Sequence, residues 1–256
     1  MSSSGSPLDY QVDGAIARVI LNRPEKRNAL NAELVAALTG ALAHSAADPA
    51  IRVVLITAAG PDFCAGADLN ELNESADNTF EDHVESARKL ADVFLEMRKH
   101  PRPIVAAVHG RALGGGCGVA TACDIVLAAE SAKFGYPEVK IGFIPAIVMT
   151  MLRRSVGEKK AFELLTTGEA VSAREAESLG LINHVYPGAE FDTRANAFVE
   201  MLASRSASAV SMTKSLLHRT GSMTFENALA AGVEANALAR LTEDARRGVA
   251  SFLKKD

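Results

Sequence analysis

The segment His109–Val126 (HGRALGGGCGVATACDIV) places five glycines within nine residues, three of them consecutive at Gly114, Gly115 and Gly116. Glycine is costly to order, so such a density needs a reason. One reason is a tight turn from strand to helix. The other is chemical. At a helix start the backbone N–H groups lack partners and point outward, and without Cβ atoms nearby they can meet a ligand closely. They suit an anion, or an oxygen that gains negative charge during a reaction. No Lys follows the run, as a phosphate loop requires, and Gly116-x-Gly118 leads to Thr121 where a dinucleotide fingerprint needs its third glycine. The loop therefore matches a carbonyl oxygen better than a nucleotide phosphate. A second small-residue turn, Pro61–Leu72 (PDFCAGADLNEL), carries Gly66. Together the two turns would make a two-donor oxyanion hole, provided the strands before them are neighbours.

Other chemistries find less support. The six histidines show no metal-ligand spacing, so no metal is expected. No G-x-S-x-G elbow accompanies His109, which argues against a serine hydrolase. Cys64, Cys117 and Cys123 are the only cysteines and read as small buried thiols in a reducing compartment. A net charge of −4 argues against a broad nucleic-acid surface. No apolar run is long enough to cross a membrane, and MSSSGSPLDYQ lacks the pattern of a secretory leader. The expectation is a cytoplasmic protein.

Stepping along the chain gives the elements that must position these turns. Alternation around Asp13-Gly14 in DYQVDGAIARVILNRP predicts a hairpin. Asn31 caps a helix over AELVAALTGALAHS, and Phe80–His100 is a second amphipathic helix. IRVVLITAAG, RPIVAAVHG and CDIVLAAE are nearly all apolar, as buried parallel strands are. This alternation predicts an α/β fold. After His184–Pro187 (HVYP) only helical periods remain. The expected division is a disordered lead over residues 1–7, an α/β core over 8–195 and a helical region over 196–256. Those last helices are too small to bury much alone, and should pack on the core or on another subunit.

The stretches NRPEKRNALN, FCAGADL, ALGGGCGVATACDIVLAAESAKFGYPEVKIGFIP, LLTTGEAVSAREAESLGLINHV and SFLKK, in this order, resemble the crotonase family of enoyl-CoA hydratases and isomerases. The resemblance implies a spiral of ββα units with a C-terminal helical trimerisation region, and so a homotrimer or homohexamer. It implies an acyl-CoA thioester as substrate, with coenzyme A entering as part of that substrate rather than as a cofactor. By motif position, the N–H groups of Ala67 and Gly115 would hold the thioester oxygen. Ala65, Asp68, Leu69, Gly114, Gly118 and Pro137 would line the substrate. Lys26, Arg27, Phe252 and Lys255 would contact the phosphates and adenine. Hydratases of the family carry two catalytic glutamates. Glu138 stands at the second position, and Gly118 replaces the first. Water addition to a 2-enoyl-CoA by a single acid/base is the expected reaction. A double-bond isomerase, a non-catalytic acyl-CoA binder and different thioester chemistry remain alternatives. Ala146 stands where dienoyl isomerases and aryl dehalogenases place an aspartate. The segment IPAIVMTML replaces a glycine-rich pattern and either narrows the acyl pocket or faces a neighbouring helix.

Overall fold

The computed structural model describes residues 5–254 and opens on a hairpin, β1 (Leu8–Asp13) running antiparallel to β2 (Ile16–Leu21). The turn lies one residue further on than Asp13-Gly14. Gly14 and Ala15 connect the strands, with Gly14 at φ 58° in the left-handed region. Pro7, expected in the disordered lead, is buried, and its carbonyl accepts from Asn22 N–H at 2.8 Å. Residues 1–4 of that lead fall outside the described residues.

Asn31 caps α1 (Ala32–Ala47), its side chain accepting from Leu34 N–H at 2.9 Å. Then come β3 (Val53–Ala58), a short α2 (Leu69–Glu74) and α3 (Phe80–Lys99). The Thr79 and Asp82 side chains and backbones cap one another reciprocally at the start of α3. Next are β4 (Ile104–Val108), β5 (Arg111–Leu113) and α4 (Gly115–Ala122), then β6 (Ile125–Ala129) and β7 (Lys133–Gly135). They are followed by α5 (Met149–Ser155), α6 (Glu158–Thr167), β8 (Val171–Ser172), α7 (Ala173–Ser178) and β9 (His184–Tyr186). The chain closes with α8 (Phe191–Ala203), α9 (Ala207–Thr220), α10 (Phe225–Leu241) and α11 (Glu243–Leu253).

The main sheet has the order β1-β2-β3-β4-β6-β9, parallel except for the opening hairpin. Side chains alternate between its faces. On one face Val54, Ile56, Ile104 and Ala106 join Leu34, Leu38, Val93 and Met97 in the main core. On the other, Val53, Leu55, Val105, Ala107 and Leu127 meet Phe191, Ala195 and Val199 of α8. Both faces are covered, which is why these strands are apolar at nearly every position. The division expected after residue 195 therefore falls inside α8, a helix that belongs to the core layer. A second sheet, β5-β7-β8, stands beside the first.

One buried polar knot fastens α9 to the core. Lys214 is 7% exposed, and its Nζ donates to Asp124 Oδ2 at 2.7 Å, Met97 O at 2.9 Å and Arg102 O at 3.0 Å. His218, one turn on, meets Asp124 Oδ1 at 3.2 Å. No helix among the described residues is long and apolar enough to cross a membrane.

Candidate active site

The two small-residue turns follow neighbouring parallel strands, β3 and β4, so they leave the same edge of the sheet. They are then stitched together. Cys64 N–H donates to Arg111 O at 3.0 Å, and Leu113 N–H returns to Cys64 O at 2.9 Å. Gly66, at φ 99°, and Gly114, at φ 50°, adopt backbone conformations that other residues rarely take. A Cβ on Gly66 would lie 3.0 Å from Leu113 O and 3.7 Å from Gly114 Cα, which measures how closely the turns approach.

This geometry leaves two N–H groups open. Leu30 bridges to Ala67 through its own bonds to Gly66 O (2.7 Å) and from Asp68 N–H (2.9 Å). The Ala67 N–H therefore faces away from Leu30, and the residue is exposed. Gly115 opens α4, whose first helical bond here is Gly118 N–H to Gly114 O at 2.9 Å, so the Gly115 N–H has no intrahelical acceptor.

Glu138 comes to the same place by another route. It sits on the 3-10 turn Pro137–Ile141 that follows β7, and β7 pairs with β5. A Cβ on Gly114 would lie 2.9 Å from Glu138 Oε1, so the glycine makes room for the carboxyl. Oε2 is buried and has no hydrogen-bond partner among the described residues. Burial pushes the Glu138 carboxyl above its ordinary value, and a hydrogen bond from its own backbone N–H offsets this only in part. An acid with one dry, unengaged oxygen is suited to exchanging a proton with a bound molecule.

The remaining expected site residues divide. Asp68 is buried and ion-paired to Arg23 at 3.0 Å, and it also accepts from Asn70 N–H at 3.1 Å. Burial alone would raise its carboxyl, but Arg23 and the backbone donors hold it below the ordinary value. Asp68 thus fixes the turn, and Arg23 is a contributor that the sequence reading did not single out. Ala65 is half-buried and donates to Arg27 O at 3.0 Å, which brings exposed Lys26 and Arg27 beside the turn. Leu69 is exposed and Pro137 half-buried at the rim. Phe252 projects from α11, exposed. Lys255 lies outside the described residues.

Gly118 is buried on α4. A Cβ there would lie 2.5 Å from Val148 Cγ1 and 3.1 Å from Phe94 Cζ. Val148, 3% exposed, fills the space where the first family glutamate would project, with Phe94 closing it from α3. Of the two readings of IPAIVMTML, Val148 therefore follows the second and faces α4, while Ala146 and Met149 stay exposed. The thiols of Cys64 and Cys117 lie directly beneath the turns, fully buried, and burial pushes each up to about 12. Neither is a nucleophile in that state.

The sequence pattern described as "Enoyl-CoA hydratase/isomerase" matches residues 11–256. The chain belongs to that family. Among its relatives, a Thermus thermophilus protein bearing an enoyl-CoA hydratase name is 41% identical over 242 residues, 94% of this chain and 96% of that one. The 2,3-dehydroadipyl-CoA hydratase of Escherichia coli is 35% identical over 240 residues, 92% and 91% of the two chains. The crystal structure of an enoyl-CoA hydratase from Mycobacterium smegmatis superposes with a TM-score of 0.94 at 34% identity, covering 97% of this chain and 96% of that one. The crotonase fold expected from the motifs is thus the fold of this enoyl-CoA hydratase/isomerase family member. Its two sheets and trailing helices are the family architecture.

Proposed function

We propose that the chain adds water to a 2-enoyl-CoA thioester, with Glu138 as the sole acid/base. The Ala67 and Gly115 N–H groups take the thioester oxygen and stabilise the enolate as negative charge gathers there. Glu138, ionised, accepts a proton from water as the water oxygen bonds to C3. The carboxylic acid so formed returns that proton to C2, and the net change is one water added. Lys26 and Arg27, exposed beside the oxyanion turn, are the proposed phosphate contacts, and Phe252 the adenine contact. What supports this reading above all is the Glu138 carboxyl, with its unengaged buried oxygen, beside two turns with open N–H groups.

One observation favours a second reading. Val148 and Phe94 occupy the space of the missing glutamate, so only one carboxyl serves the site. A single carboxyl is enough to carry a proton between C2 and C4 of a 3-enoyl-CoA. Incubation with 2-enoyl- and 3-enoyl-CoA panels, read by mass, separates the two. Hydration adds the mass of one water, and isomerisation leaves mass unchanged. Rapid 3-enoyl to 2-enoyl conversion with no 3-hydroxyacyl product would overturn the hydratase reading. Loss of both reactions in Glu138→Gln, by roughly 10²–10⁴-fold in kcat, is expected under either.

A further inference from the structure

The opposite end of the central strands holds a cavity that this chemistry does not use. Arg52 immediately precedes β3, and Arg102 lies just before β4. Both therefore stand at the strand ends away from Ala67, Gly115 and Glu138. With Ser208 and Ser211 of α9 they line an open cavity of about 440 Å³, closed on its far side by Thr242 and Asp244 at the start of α11.

We propose that this cavity binds a phosphate-type dianion. Neither Arg52 nor Arg102 has a carboxylate partner among the described residues, although both are half-buried. Each has its Nε buried with no acceptor. Arg52 spends one Nη2 bond on Arg205 O at 2.7 Å. The Arg102 guanidinium makes no hydrogen bond to any described residue. Both guanidiniums line one cavity with no carboxylate paired to either, so their remaining Nη groups are free to take a bound acceptor there. The guanidinium fork fits the oxygens of phosphate. Ser211, one turn beyond Ser208 on the same helix face, adds a hydroxyl with no other partner among the described residues.

Two carboxylates also line the cavity, Glu243, which is exposed, and Asp244. Asp244 already accepts from Ser206 Oγ at 2.7 Å, Ser208 Oγ at 2.9 Å, Ser208 N–H at 3.2 Å and Arg247 at 2.6 Å. These four donors hold its carboxyl far below the ordinary value and already engage its oxygens. A bound dianion would join β3, β4, α9 and α11 through one set of contacts, and would brace the terminal helices against the sheet.

The test is thermal unfolding of the full chain in inorganic phosphate against chloride at equal ionic strength, with isothermal calorimetry as a direct readout. A saturable rise in Tm of about 2–4 °C is expected. Arg102→Gln should lose both the rise and the heat of binding, with turnover in phosphate-free buffer unchanged. Arg27→Gln should keep them, because the cavity is not the proposed CoA phosphate contact. An equal rise with adenosine monophosphate that Arg102→Gln abolishes and Arg27→Gln keeps would assign phosphate monoesters as well as the free ion. If Arg102→Gln fails to fold, Arg52→Gln and Ser211→Ala carry the same expectation. No saturable binding in the wild type, or undiminished binding in these variants, overturns the proposal.

Discussion

Glu138 is a carboxyl held partly dry beside Gly114, and its cost to the fold depends on pH. In the unfolded chain it ionises near the ordinary 4.5, and in the native chain above it. Below the unfolded value it is neutral in both states and imposes no penalty. As pH rises through the raised native value, keeping the ion out of water destabilises the fold by a growing amount that then levels off. Glu138→Gln should therefore melt above the wild type near neutral pH while losing turnover, and the two curves should converge in acid. Thermal melts across pH check this, and a variant that is less stable at neutral pH would contradict it. Gly115 gives a second prediction at this scale. It is the first residue of its helix, where proline is well tolerated, and a Cβ there meets only Leu30 Cδ1 at 3.0 Å. Gly115→Pro should fold, by circular dichroism, and lose roughly 10²–10³ in kcat, because it removes one oxyanion donor. The glycine run and the Glu138 motif were legible in the sequence, since each is contiguous. Arg23 was not, because its meaning is a pairing with Asp68 across 45 residues.

At the scale of elements, α5 lands on α4 through Val148 on Gly118. No side chain fits at 118 while Val148 is there, so restoring a glutamate at 118 requires that both positions change. Gly118→Ala should destabilise by about 1–3 kcal/mol through overpacking. Adding Val148→Ala should recover much of it, with a coupling energy of about 0.5–3 kcal/mol by denaturant titration. Strict additivity would show that the two positions do not share the space. This contact explains a limit of the sequence reading. The departures at Gly118 and in IPAIVMTML were each visible, but their being one contact depends on where a helix docks. The long strands announced themselves by unbroken apolar runs, whereas β5, β7 and β8 have only three, three and two residues and no period to detect.

For the whole molecule, the terminal helices leave apolar surface uncovered. In α10 only Ala231 is buried, while Phe225 is 74% and Val233 71% exposed. Leu217 and Val249 on the neighbouring helices are likewise exposed. A trimer or a dimer of trimers is the expected state. Sedimentation equilibrium of the wild type should give that mass, and Val233→Glu should shift it toward the monomer without loss of helix content. A wild type that stays monomeric at micromolar concentration would contradict the assembly.

The three thiols have a consequence for how the molecule can be watched. Cys64, Cys117 and Cys123 all sit inside the core cluster, the first two with no exposed surface and the third with its Sγ buried against Val119 O, and burial pushes all three well away from ionisation. A thiol-reactive dye can meet them only after the interior has opened. The rate at which dye is incorporated is therefore a clock for native-state opening. Cys64 and Cys117 time the opening of the two glycine turns beside them. Cys123, beside the Asp124 that Lys214 grips, times the release of α9.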